Sequence, residues 1–278
     1  MNINGYELYL NEPNSIHYKG RVFFKSFDID TDNSFSPRRV RVYIPSTYDF
    51  NNPNHRFKTI YMLDGKNLFD DYTSFVGEWG IDESIEEMIE KGERDGYIVI
   101  GIDAPETDRD RSLEMSPKEL KRLKKYDMGV GYAHKLGKFI FDVVKKDIDE
   151  TFYTLKEKEY TGVGGSSMGG LMAFYLASEY QDKISYALCF SPAFFLFSWN
   201  STYEYLRNKV NKNFPKLYFY IGGKGFERLF VETTLRTYNF FINKGFSHEH
   251  VKLIYDSDKE HNERAWREYF PEMLKRID

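Results

Sequence analysis

The chain has 278 residues and a mass of 33.0 kDa, enough for a full core within one large domain spanning 1–278. A net charge of −4 and a pI of about 6.0 disfavour a polyanionic partner, so nucleic acid is not expected. The lone cysteine, Cys189, rules out an internal disulfide framework and a thiolate metal cluster.

Residues 1–18 are polar and lack a signal-peptide core. No apolar run approaches the ~20 residues of a membrane span. The expectation is a cytoplasmic protein with no membrane attachment. Arg21–Phe27 and residues 40–44 are rich in Val, Phe and Tyr and read as an antiparallel strand pair, with Asp32, Asn33 and Ser34 as turn chemistry between them.

From Thr59 the pattern changes. Apolar runs at 59–63, 97–102, 160–163, 184–190, 217–221 and 251–255 alternate with helical patterns at 81–91, 137–148, 171–180, 231–243 and 263–274. Near-continuous apolar strands joined by helices imply a mostly parallel central sheet with helices on both faces, a three-layer α/β domain. Ligands in such sheets bind beyond the carboxyl ends of the strands. The connection at 103–128 is long and heavily charged. It reads as a lid-like insertion with a short helix near 118–124. The apolar segment at 194–197 with Trp199 reads as pocket lining or as core packing, packing being favoured.

The run at 160–163 leads into Gly165-Ser166-Ser167-Met168-Gly169, a G-x-S-x-G pattern followed at once by a helical pattern. A strand–turn–helix junction is the setting of a nucleophile elbow. There a strained turn lifts the serine hydroxyl above the sheet, and the positions two before and two after must lack bulk. Gly165 and Gly169 meet that need, which singles out Ser167 as nucleophile. The absence of a Gly-Lys-Ser/Thr ending excludes a Walker A loop.

A serine needs a base, and an elbow places its partners in the order Ser, acid, His. His248, His250 and His261 follow Ser167; only His261 comes after the run at 251–255, where a base reaches the top of the sheet. The acid belongs after 217–221, where Glu227 is the first carboxylate, with Glu232, Asp256 and Asp258 as rivals. Backbone N–H groups of Met168 and Lys66 are the expected oxyanion donors, the second from the loop after 59–63.

At this point the chain resembles the putative-esterase family of α/β-hydrolases, which includes esterase D, enterochelin esterases, feruloyl esterases and antigen 85 mycolyltransferases. Four stretches carry the resemblance: Val40 to Pro45 as the opening strand, Met62 to Phe69 as the oxyanion loop, Gly165 to Leu171 as the elbow, and Glu260-His261-Asn262-Glu263 with Trp266 as the histidine loop. It implies an α/β-hydrolase fold, nucleophile Ser167, base His261 and oxyanion donors Lys66 and Met168. It further implies that Arg111, in Arg111-Ser112-Leu113-Glu114 with Pro117, borders the substrate. Relatives often carry "G-T-K-E" after the seventh strand, whereas here Gly223-Lys224-Gly225-Phe226 separates the glycine from Glu227, which leaves the acid's identity open.

The expected activity is therefore a serine carboxylic-ester hydrolase working through an acyl-enzyme, with no metal and no organic cofactor. An acyltransferase on the same residues and a catalytically silent binding protein are the alternatives. The expected partner is a small-molecule ester, such as a siderophore trilactone, a feruloyl or acetylated sugar, or S-formylglutathione. The charged insertion and a mean hydropathy of −0.60 disfavour lipase-type action. An apolar edge or helix face would allow a homodimer.

Overall fold

The computed structural model describes residues 1–9, 19–28, 37–74 and 77–277. Among the described residues, ten strands form one sheet: β1 (Asn2–Ile3), β2 (Tyr6–Leu8), β3 (Arg21–Phe27), β4 (Arg38–Ile44), β5 (Lys58–Leu63), β6 (Tyr97–Ile102), β7 (Thr161–Ser166), β8 (Tyr186–Phe190), β9 (Lys216–Gly222) and β10 (Val251–Asp256), in the order β1-β2-β3-β4-β6-β5-β7-β8-β9-β10. The first four strands and the β4–β6 pairing are antiparallel, and every pairing from β6 through β5 to β10 is parallel. The antiparallel part is thus larger than the expected pair, because β1 and β2 add to β3. The turn expected at Asp32 to Ser34 lies outside the described residues.

Eight α-helices of the described residues surround the sheet: α1 (Ile81–Glu90), α2 (Asp108–Glu114), α3 (Ala133–Lys138), α4 (Lys145–Thr151), α5 (Met168–Glu179), α6 (Trp199–Lys209), α7 (Arg228–Asn243) and α8 (Glu263–Lys275). A π-helical stretch, Phe139–Val144, joins α3 to α4. Alternating strand side chains feed two separate cores. Tyr61, Ile100, Cys189 and Phe219 pack on one face with residues of α5 and α7; Met62, Val99, Leu188 and Tyr220 pack on the other with residues of α1 and α8. Because both faces are covered, the central strands have no polar side and read as unbroken apolar runs.

Residues 103–128 differ from the sequence expectation. The short helix is α2, not a segment at 118–124. Its start is fixed by Thr107, whose Oγ1 accepts the Asp110 N–H at 3.1 Å, with Asp108 and Asp110 in the first turn. The Lys/Glu-rich stretch after Pro117 carries a 3₁₀ turn at Lys124–Tyr126 instead. Two buried ion pairs tie the segment to β4. Arg38 grips Glu114 at 2.9 and 2.8 Å, and Arg41 Nε donates to Asp103 at 2.8 Å. Burial pushes both carboxyls above their usual range, and the arginines oppose that push.

Candidate active site

β7 runs three residues further than the apolar pattern, through Ser166, and α5 begins at Met168. Ser167 alone makes the junction, at φ 57° and ψ −119°. A side-chain-bearing residue in that region is strained and persists only where its surroundings hold it. Here Ser167 N–H donates to Phe190 O at 2.9 Å, and Ala193 N–H donates to Ser167 O at 3.1 Å. The flanking glycines are sterically required. A Cβ on Gly165 would stand 2.7 Å from the Gly169 carbonyl carbon, and one on Gly169 would stand 2.9 Å from Asp64 Oδ2.

His261 lies in the loop between β10 and α8, and Glu227 closes the 3₁₀ turn Gly225–Glu227 after β9. The two meet across 34 residues: His261 Nδ1–H donates to Glu227 Oε2. A carboxylate only accepts, so this bond assigns the proton to Nδ1 and leaves Nε2 as a base. Glu227 is fully buried. Its other oxygen accepts from the Gly222 N–H at 3.0 Å and from the Ser191 hydroxyl. A buried charge needs such donors. The rival carboxylates have other partners: Glu232 pairs with Arg236 at 2.6 Å, Asp256 accepts from Tyr269, and Asp258 accepts from the Ser257 hydroxyl at 3.3 Å. His250 Nε2 contacts Phe214 O at 2.7 Å and His248 contacts Tyr238 at 2.6 Å, both away from Ser167.

Three aromatic rings enclose the imidazole. Phe230 stacks on its face at 4.4 Å, while Trp266 and Phe226 present edges at 5.0 and 5.5 Å. Phe195 packs against Phe230 at 4.5 Å, whereas Phe194 and Phe197 belong to the core.

Ser167 and His261 open into a cavity of about 550 Å³ that also receives Asp64, Lys66, Arg111, Glu263 and Trp266. Lys66 lies in the 3₁₀ turn Gly65–Asn67, and its Nζ reaches Glu106 at 3.1 Å. Arg111 projects from α2 and is held by Asp64 at 2.6 and 2.7 Å. Burial pushes the Glu263 carboxyl up. All six residues expected from the sequence therefore converge: Ser167, His261, Lys66 and Arg111 line the cavity, Met168 heads the adjoining helix, and Glu227 lies behind the imidazole. Sequence reasoning missed Ser191, Phe230 and the Asp64 carboxylate. Ser191 directly follows β8, one of the strands whose carboxyl-end loops were singled out, so that signal was available.

This sheet, with its serine elbow at the carboxyl end of a central parallel strand, defines an α/β-hydrolase fold. A family model described as putative esterase matches residues 35–277. The chain belongs to that family, a family of ester hydrolases. Solved structures agree in fold. A ferulic acid esterase aligns with a TM-score of 0.68 at 13% identity, covering 94% of this chain and 98% of its own. A siderophore hydrolase from Aspergillus nidulans aligns at 0.65 with 16% identity, covering 92% and 95%. An S-formylglutathione hydrolase from Staphylococcus aureus aligns at 0.64 with 16% identity, covering 94% and 98%. No curated protein matches by sequence.

Proposed function

We propose that this protein is a serine carboxylic-ester hydrolase that works through an acyl-enzyme on a small-molecule ester. The observation that carries the reading is the pairing of Glu227 with His261 Nδ1 in a site whose cavity Ser167 shares. His261 Nε2 takes the Ser167 proton as Oγ attacks the ester carbonyl, and Glu227 stabilises the imidazolium. The oxyanion rests on the Met168 and Lys66 amides; the first N–H groups of a helix have no intrahelical acceptor and point toward negative charge. His261 then protonates the leaving alcohol. Water, deprotonated by the same histidine, attacks the acyl-enzyme and releases the acid and free Ser167.

The names of the structural neighbours point to feruloyl, siderophore and formylglutathione esters as the candidate range. The test compares hydrolysis of p-nitrophenyl acetate, butyrate and octanoate by the wild type and Ser167→Ala. The variant is expected to lose about 10³-fold or more in kcat. Equal trace rates in both proteins would remove the serine mechanism and favour a silent scaffold.

A further inference from the structure

The turn after β8 holds both halves of the site. Phe190 O and Ala193 N–H fasten the Ser167 backbone at 2.9 and 3.1 Å, and Ser191 lies between them. Ser191 is fully buried and adopts φ 44°, in the left-handed region that favours glycine. Its N–H is tied to Tyr220 O on β9 at 2.7 Å. Its hydroxyl accepts the Trp266 Nε1–H at 3.1 Å and donates to Glu227 Oε1.

We propose that Ser191 is a positioning residue for the catalytic carboxylate, a role that rests on the serine-hydrolase reading above. A serine hydroxyl has one proton to give. With the indole N–H filling its acceptor side, that proton goes to Glu227. Ser191 and Gly222 then pin Oε1 from two adjacent strands, which leaves Oε2 for His261. Glycine would meet the backbone geometry without strain and would supply no donor. A serine at this φ therefore exchanges backbone ease for a hydrogen bond to the acid. The same turn carries the Ser167 backbone, so nucleophile and acid are referenced to one rigid piece. Among the described residues, titratable groups that act on the pair include Glu263 from α8, on His261, and Tyr220 from β9, on Glu227.

The decisive variant is Ser191→Gly, which deletes the hydroxyl and the backbone strain together. Relief of the backbone strain offsets part of the cost of leaving Trp266 Nε1–H and Glu227 Oε1 each one partner short, so its melting temperature is expected at or somewhat below that of the wild type, with the fold retained. Its kcat on p-nitrophenyl acetate should fall on the order of 10-fold to 100-fold, the loss expected for a hydrogen bond to a charged group, with KM within about twofold. The acid limb of its kcat/KM profile should move to higher pH, because a carboxylate with one donor fewer holds the imidazole proton more tightly. Ser191→Ala should match the glycine variant in kcat and be less stable, since it keeps the strain. A stable Ser191→Gly protein with wild-type kcat and pH profile overturns the positioning role while leaving the esterase reading intact. A wild type no more active than Ser167→Ala overturns that reading and this role with it.

Discussion

Arg111 closes a two-point ion pair on Asp64, Nε to Oδ1 at 2.6 Å and a terminal nitrogen to Oδ2 at 2.7 Å. Asp64 is the left-handed residue, φ 59°, that turns β5 into Gly65–Asn67. Gly65 is packed so closely that a Cβ there would stand 2.8 Å from the Gly101 carbonyl carbon. The guanidinium thus fixes the loop that carries the Lys66 amide.

Arg111→Leu would leave the buried Asp64 carboxylate without its guanidinium partner. Stability should fall by about 1–3 kcal/mol, below the range for a wholly buried pair, because both side chains keep some contact with water. On neutral p-nitrophenyl acetate, kcat should drop about 10-fold or more as the proposed oxyanion donor shifts. If Arg111 instead grips an anionic leaving group, KM for an anionic ester rises and the neutral ester is unaffected. Steady-state kinetics on both esters separates the two roles.

Glu227→Gln keeps the size of the side chain and changes its donors. An amide NH₂ would face Ser191, Gly222 or His261, each of which already donates. One donor must turn away, or the imidazole must move its proton to Nε2, where it cannot act as base. The expected result is a loss of about 10³-fold or more in kcat with the fold retained, read by ester hydrolysis beside far-UV circular dichroism.

What the sequence disclosed follows from the range of the physics involved. The need for Gly165 and Gly169 is steric and local, so it could be read from five letters. Strand limits such as Tyr97–Ile102 were readable because burial on both faces leaves an unbroken apolar run. The Lys/Glu pattern at 118–124 imitated a helix, yet Thr107 supplied the cap that started the real one at Asp108. α6 escaped because the aromatic residues at its start were read only as packing or pocket lining, and the helical pattern beyond them was not picked out. Ser191 was marked only by its place in a loop at a strand's carboxyl end, and Phe230 by nothing. Their roles depend on β8, α7 and α8 meeting, and no local pattern encodes that meeting.

Phe230 is fully buried with its ring 4.4 Å from His261, the two planes 26° apart. A π-face attracts the imidazolium more than the neutral ring, and in the proposed mechanism the imidazolium forms in the transition state. Such an interaction contributes about 0.5–2 kcal/mol. Phe230→Leu should therefore lower kcat/KM about 2-fold to 30-fold and move the acid limb of the profile to lower pH. Phe230→Tyr keeps the face and should retain the wild-type limb. A leucine variant with an unmoved limb would assign the ring to packing alone.

Glu78 provides a pH test away from the chemistry. It lies partly buried beside Glu83 and Asp82, with Arg267 at 3.4 Å from Glu78 and 3.6 Å from Glu83. Burial, then Glu83 and Asp82, pushes its carboxyl from 4.5 up to about 8 against the pull of Arg267. Between those values the folded chain keeps a proton that the unfolded chain releases. More protons on the folded state means that stability falls as pH rises through this window. Glu78→Gln fixes the neutral form and should flatten that slope. At pH 4, below both values, the variant and the wild type should melt together. At pH 8.5 the variant should be more stable, by on the order of 1–2 kcal/mol once solvent screening and the coupling among the carboxylates are allowed for. Thermal unfolding at the two pH values measures the difference directly. A variant less stable than the wild type at pH 8.5 would mean that the Arg267 contact outweighs the crowding of like charges.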